Sequence, residues 1–384
     1  MKPLREIPTG LGLDDVLLVP QRTSVTSRSH TDVSTELVPG LRLSVPILSA
    51  NTPWCTGARM AAAMALAGGL GVIHRMQTAE DQAAEVTAVK KEHPKEESAA
   101  PGATVDERGR LRAAAAVGVT DDYLDRAALL VEAGADALVV DVAHGHADYV
   151  LKAVEQLKSR WPGVPLVGGN VATPAGTRDL IDAGADAVKV GIGPGGICTT
   201  RLVAGSGMPQ FTAVLECAEE AAGRGVPVIA DGGIKEPGDV AKVLAAGART
   251  AMLGSALAGA EESAALLVEH DGRPAKVSTG FVTFGMQLTL KRARGEAVTK
   301  EELAQYTPEG VEATWPFSGP AAGTVNRFVG GLRSGMSYSG AHTLAEFRER
   351  ACFVRVTPAG LAENHPHALG RAQQVPLDYA AEAV

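Results

Sequence analysis

The sequence predicts an α/β protein built as a (β/α)8 TIM barrel with a long lid insertion after strand 8, and three observations point there. Short β-branched or alanine-rich runs alternate with helix-patterned segments at a period of roughly 20 to 40 residues. Eight such runs occur, apolar on both faces, as strands of a parallel sheet covered on both sides are. Run after run then ends, at its C-terminal edge, in glycine or in a residue with chemistry. In a barrel these ends and the loops that follow them converge on one mouth, which argues against the rival doubly wound open sheet.

In order, the strands fall at 46–50 (PILSA), 69–75 (GLGVIHR), 112–118 (RAAAAVG), 137–143 (ALVVDVA), 165–171 (PLVGGNV), 187–193 (AVKVGIG), 227–233 (PVIADGG) and 250–256 (TAMLGSA). Amphipathic stretches such as 121–134 and 174–184 lie between them. Three helices end in one phrase: EAGAD at 132–136, DAGAD at 182–186 and AAGAR at 245–249. Its glycine suits the left-handed position just past a helix, with the next strand about three residues on. Two regions break the repeat. Residues 91–110 are charged, contain Pro and Gly, and read as a surface connection. Residues 257–330 form an excursion of a length that barrels use for lids or substrate clamps. Residues 1–370 make a single catalytic barrel, and 371–384 a C-terminal tail.

With 384 residues, 45% of them hydrophobic, the chain buries a substantial core. The net charge is −8 and the basic residues are scattered, so neither nucleic acid nor an anionic membrane is an expected partner; a small molecule is. No run of about 18 uncharged apolar residues occurs and the N-terminus lacks a signal-peptide pattern, which makes a cytoplasmic location the expectation. Cys55, Cys198, Cys217 and Cys352 are widely spaced, with neither a CxxC pair nor zinc-like histidine spacing.

The most specific segment is 189–210, KVGIGPGGICTTRLVAGSGMPQ, where a strand runs into a glycine-rich loop that presents one cysteine and two threonines. Glycines let backbone groups approach a ligand closely. A lone cysteine is ordinarily a packing residue. Cys198, however, lies among loop amides and beside Thr199, Thr200 and Arg201, a setting that favours the nucleophilic thiolate. The other three cysteines lack it. The seventh and eighth runs end in ADGGIKEPGD (230–239) and MLGSALAG (252–259), at loops that often hold phosphate on backbone amides. Gly232, Gly233, Gly254 and Ser255 are the phosphate candidates, and Asp231 suits a ribose diol. Residues 191–196 are a poor dinucleotide fingerprint, because the GxGxxG spacing breaks and no ribose-binding acid follows at the right distance.

On these motifs, from LGLDDVLLVP (11–20) to AGLAENHPH (359–367), the chain resembles the IMP dehydrogenase/GMP reductase family. The resemblance implies that Cys198 attacks C2 of a purine nucleotide with Thr200 as its polar partner, while NAD or NADP exchanges hydride at that carbon. It further implies that Ser49, Asn51, Asp231, Gly232, Gly233, Gly254 and Ser255 bind substrate and that Glu309 contacts the base. Asp141 would meet the cofactor ribose, with Asn170, Gly191 and Gly193 in the same cleft. The carbonyls of Gly193, Gly195 and Cys198 resemble a potassium site completed by the Glu363 segment of a neighbouring subunit, in a homotetramer. The regulatory CBS pair that typical dehydrogenases carry between the second and third strands is replaced here by the short 91–110 connection.

The departures from the family pattern gather in the pocket. Gly196 stands for a phosphate-binding serine and Ser278 for a tyrosine, Thr52 and Pro53 replace a methionine and an aspartate, and Met76 an asparagine. These changes lead to the expectation that IMP and GMP are poor substrates beside a purine nucleotide with an altered ring or substituent. In the lid, Arg294 aligns with the arginine of the dehydrogenases' arginine–tyrosine pair and Gly295 with its tyrosine. The expected activity is therefore dehydrogenase-like oxidation, with Arg294 placing or activating water. Reductive deamination of a 2-amino or ring-modified purine such as a deazapurine nucleotide is the alternative, supported by the reductase-like SAN at 49–51 and DVA at 141–143; a non-catalytic nucleotide-binding paralogue is the third.

Overall fold

The structure is a computed structural model and describes residues 7–94, 102–119, 122–278, 299 and 310–364. Eight parallel strands close into a barrel: β1 (Ile47–Ser49), β2 (Leu70–Ile73), β3 (Ala113–Val117), β4 (Ala137–Val140), β5 (Leu166–Val171), β6 (Ala187–Val190), β7 (Val228–Asp231) and β8 (Thr250–Leu253). Each pairs with its sequence neighbour, and β8 returns to β1 through Ala251 opposite Ile47. All eight fall inside the predicted runs. The helices around them are α1 (Ala58–Leu66), α2 (Ala79–Lys91), α3 (Tyr123–Glu132), α4 (Asp148–Arg160), α5 (Pro174–Asp182), α6 (Gln210–Ala222), α7 (Pro237–Ala245) and α8 (Ala321–Tyr338). Gly134, Gly184 and Gly247 sit at φ +91°, +100° and +113°, so the repeated phrase is a left-handed stop after α3, α5 and α7.

Strand alternation sorts the core into two layers. Ala113, Ala115 and Val117 of β3 face the helices, whereas Ala114 and Ala116 point inward with Leu48, Val72, Val139, Val167, Ala187, Ile229 and Met252. So many alanines leave room at the N-terminal end of the barrel. A hairpin of Thr35–Val38 and Leu41–Leu43, turning on Gly40 at φ +83°, fills it with Leu37, Val38, Leu41 and Leu43, all at most 3% exposed.

The described residues of the excursion after β8 carry regular structure. Strands Leu266–His270, Arg273–Ser278 and Ala313–Pro316 form an antiparallel sheet. Residues 321–330, assigned above to the lid, belong to α8. This helix approaches α7 closely because a Cβ at Gly331 would lie 2.3 Å from that of Pro237, and one at Gly335 2.9 Å from that of Ala241. The 91–110 connection is partly tied down, since Asp106 accepts from Lys90 Nζ at 3.3 Å and from Arg110. The 371–384 tail lies outside the described residues. Among the described residues no helix is long and apolar enough to cross a membrane.

Candidate active site

The C-terminal ends of the strands surround a cavity of about 460 Å³, a size suited to a small organic ligand. Asn51, Asp141, Asn170, Gly191, Gly193, Gly195, Cys198, Thr200, Asp231, Gly232, Gly233, Gly254 and Ser255 all line it. Ser49 does not. It points into the packed core, fully buried, where its hydroxyl accepts from Thr56 Oγ1 at 2.9 Å, and its expected role in substrate contact gives way to a structural one. Arg294 and Glu309 lie outside the described residues, although Gly310, next to Glu309, lines the cavity.

The loop after β6 presents the cysteine. Gly191 opens it at φ +150°, where a Cβ would stand 2.0 Å from the Asp231 carbonyl, so only glycine lets β6 and β7 close up here. Gln210, buried at the start of α6, donates to the carbonyls of Val190 and Asp231, both at 3.0 Å, and pins the two strand ends together. The Cys198 amide then donates to the Gly195 carbonyl at 3.1 Å, while Cys198 bridges to Gly310 and the Val311 amide reaches the Ile197 carbonyl at 3.1 Å. Cys198 Sγ lies 3.2 Å from Thr200 Oγ1, half-buried at the cavity wall. Burial pushes the thiols of Cys55 and Cys217 up to about 11, and neither residue lines the cavity.

At the root of the cysteine loop lies a charged network that the sequence reading missed. Lys189 shares the inward face of β6 with Ala187 and is only 2% exposed; its Nζ is 2.7 Å from Asp231 Oδ2 and also donates to Asn170 Oδ1. Asn170 Nδ2 completes the network, donating to Asp231 Oδ2 at 2.9 Å and to the Gly191 carbonyl at 2.7 Å. A register shift between Gly169 and Val171 turns Asn170 to this side. A lysine flanked by valines in an otherwise apolar strand was the available signal. Asp141, at the end of β4, is held by Arg75 Nε at 3.1 Å, a second partner not singled out from sequence. His74, just past the end of β2, does not line the cavity; burial pushes it down to about 4, and it accepts from the Met76 amide at 3.1 Å.

The end of the cavity expected to take phosphate is made by backbone. Gly232 and Gly233 adopt φ +88° and +77°, and Gly254 leads into the helical turn Ser255–Ala258. A Cβ at Gly196 would meet Ser255 Oγ at 3.6 Å, so the position that lacks the family serine does face the phosphate candidates. Ser278 has a different place. It is fully buried in the antiparallel sheet, accepts from Trp315 Nε1 at 2.6 Å and does not line the cavity, so it does not stand for a pocket tyrosine. Among the described residues no group of three or more His, Cys, Asp or Glu side chains is placed to hold a metal.

A cysteine loop, two glycine turns and a barrel mouth of this form have known counterparts. Residues 10–367 match the family model described as the IMP dehydrogenase / GMP reductase domain. The chain is 37% identical to an inosine-5'-monophosphate dehydrogenase of Aquifex aeolicus over 97% of this chain and 98% of that one, and 35% identical to a GMP reductase of Leishmania major over 96% and 99%. The first alignment runs to 483 positions against 384 residues here, so that relative carries extra residues within the matched span. The crystal structure of a cysteine-to-alanine variant of GMP reductase from Trypanosoma brucei in complex with guanosine 5'-monophosphate superposes with a TM-score of 0.89 at 35% identity, covering 94% of this chain and 98% of that one. With the barrel, the loop and the span all in agreement, the chain belongs to the IMP dehydrogenase/GMP reductase family, oxidoreductases of purine nucleotides that use nicotinamide cofactors.

Proposed function

We propose that this oxidoreductase works at C2 of a purine nucleotide through a covalent adduct on Cys198, in the oxidative direction of an IMP dehydrogenase. The observation that carries the reading is that Cys198, alone among the four cysteines, lines the mouth cavity, with the Thr200 hydroxyl 3.2 Å from its sulfur. Thr200 accepts a hydrogen bond from the thiol in the resting state and donates one to the sulfur once it is ionised. The thiolate adds to C2 and forms a C–S bond as the C2–N3 π bond opens, its electron pair moving to N3, which takes up the proton released by the thiol. A bound nicotinamide would supply the redox chemistry as acceptor of hydride from C2, with the Asp141 carboxylate available to its ribose and the cleft past Asn170, Gly191 and Gly193 available to its ring. Water oriented by Arg294 then attacks C2, the C–S bond breaks, and Cys198 regains its thiol while C2 keeps the oxygen.

Lys189 neutralises Asp231 and fixes its carboxylate, whose ionised oxygens accept from the substrate ribose hydroxyls. The amides of Gly233, Gly254 and Ser255 take the phosphate. A potassium ion fits the donor set of the cysteine loop. The carbonyls of Gly193, Gly195 and Cys198 are neutral oxygen donors, and that of Gly195, already accepting the Cys198 amide, keeps its second lone pair. The Glu363 segment of a neighbouring copy would complete it in a homotetramer.

The second reading is reductive deamination, in which Cys198 displaces ammonia from a 2-amino or ring-modified purine, a reduced nicotinamide would supply hydride to the same carbon, and the C–S bond then breaks to return the Cys198 thiol. It is favoured by Asn51, 4% exposed at the cavity, in the reductase-like SAN segment, and by the T. brucei GMP reductase match. Mixing the protein with candidate nucleotides and either form of NAD or NADP, and following absorbance of the reduced nicotinamide, tests all of this. A rise with IMP-like substrates establishes oxidation, and a fall with 2-amino purines reduction. Binding of nucleotide with no change in either direction identifies a non-catalytic paralogue. In the oxidative case Arg294→Ala gives a burst of reduced cofactor followed by a slow steady state.

A further inference from the structure

At the end of the barrel opposite the mouth, a second cleft of about 360 Å³ opens between the hairpin and the short helix Leu344–Arg350. Arg42 reaches it from the hairpin, Arg249 from the residue before β8, and Arg348 from the helix. Among the described residues none of the three guanidiniums makes an ion pair, whereas eight other arginines have a carboxylate within 4 Å. Arg42 donates only to Ser34 Oγ at 3.1 Å, and Arg348 Nη1 is buried without a hydrogen-bond partner. The one carboxylate in the lining, Glu36, is engaged by the Gly40 amide at 2.8 Å, closing the hairpin turn.

We propose that this cleft is a binding site for a phosphate-bearing small molecule, separate from the active site and assigned to no step of the reaction. Three cations around one cleft repel one another, and a buried guanidinium N–H without an acceptor is costly, so the arrangement is relieved by a multivalent oxyanion. Burial and the neighbouring Arg249 push the Arg348 guanidinium down to about 10, which still leaves it cationic at neutral pH. Guanidinium pairs phosphate oxygens two at a time, and the Ser34, Thr35 and Thr343 side chains in the lining add hydroxyls of the kind that accompany arginine at such sites. The inference does not depend on the chemistry proposed at Cys198, because the two clefts lie at opposite ends of the barrel.

Inorganic pyrophosphate titrated into the full chain, read by calorimetry and by the thermal midpoint, tests it. The expected result is binding that weakens about tenfold or more in Arg249→Gln and in Arg348→Gln, consistent with loss of a charge-assisted contact, and that persists when Ser255→Asp blocks the mouth. Arg42→Gln, at an exposed position, serves as the variant least able to disturb folding and is expected to weaken binding as well. If the parent binds no pyrophosphate, or if binding disappears with Ser255→Asp and survives all three arginine variants, the cleft is not an anion site. The second of those results would leave the reading of the mouth intact.

Discussion

The two ends of the barrel are made by the same eight strands and differ in what the chain does as it leaves them. At the N-terminal end seven of the eight strands start on apolar residues and a hairpin plugs the opening with Leu37, Leu41 and Leu43, each at most 1% exposed. At the C-terminal end they finish in glycines with positive φ and in Lys189, Asp231 and Asn170, a buried cation matched to one carboxylate and one amide. One end is held by hydrophobic packing and tolerates little loss of volume. The other places polar groups where packing would be more stable, which is the arrangement expected of a site.

Cys198→Ala breaks the comparison most sharply. Turnover is expected to fall by about 10⁴-fold or more, in the range seen when a covalent nucleophile is removed, with an unchanged thermal midpoint. Cys55→Ala and Cys217→Ala are expected to do the reverse, costing about 1 kcal/mol of stability from buried volume while kcat holds. Because burial pushes those two thiols up to about 11, they stay protonated at pH 7 to 8 and escape alkylation, while loss of activity tracks labelling of Cys198. Full turnover by Cys198→Ala would end the covalent mechanism.

Lys189→Met removes the cation without opening a large cavity and leaves Asp231 and Asn170 unmatched in a buried site. Breaking a buried pair from one side costs about 3 to 5 kcal/mol, and a displaced Asp231 should lower kcat/KM by roughly 10²-fold. Denaturant midpoints and steady-state kinetics on one preparation measure both. A stability loss with normal kcat/KM would reduce Lys189 to a structural residue. At the other end, Leu41→Ala is expected to cost about 2 to 5 kcal/mol and to leave kcat per folded molecule unchanged; a fall in kcat would mean that the plug communicates with the mouth.

The same contrast explains what was legible in the sequence. The eight strands were readable because buried parallel strands repeat an apolar pattern, and the stops after α3, α5 and α7 because a left-handed residue selects glycine. The cavity was readable because glycines and polar residues at strand ends have few other uses. The plug was missed, since LVPGLRL carries Pro and Gly and too short an alternation to stand out as a hairpin. Lys189 was missed because inward and outward positions of a strand buried on both faces look alike in sequence. Ser49 was misplaced for a related reason: the chain passes from core to mouth within one residue, so that Ser49 is buried while Ala50, Asn51 and Thr52 line the cavity.

Gly196→Ser sharpens the comparison at the mouth itself, with the smallest expected effect. Gly196 is not held at positive φ, and a Cβ there would meet only Ser255, at 3.6 Å from Oγ and 3.7 Å from Cβ, which is ordinary contact. Serine therefore fits without strain, and the loss of chain freedom in the unfolded state makes the variant as stable as the parent or slightly more so. Its hydroxyl would stand beside that of Ser255 and the amide-rich turn at Gly254. If nucleotide phosphate sits there, one added hydrogen bond to a charged group contributes about 1.5 kcal/mol, and KM for the nucleotide falls about tenfold at unchanged kcat. The matching nucleoside, which has no phosphate to receive the bond, should show no gain. An equal gain for nucleotide and nucleoside, or no gain for either, would place the phosphate elsewhere and leave Gly196 as a residue that shapes only the path of the cysteine loop.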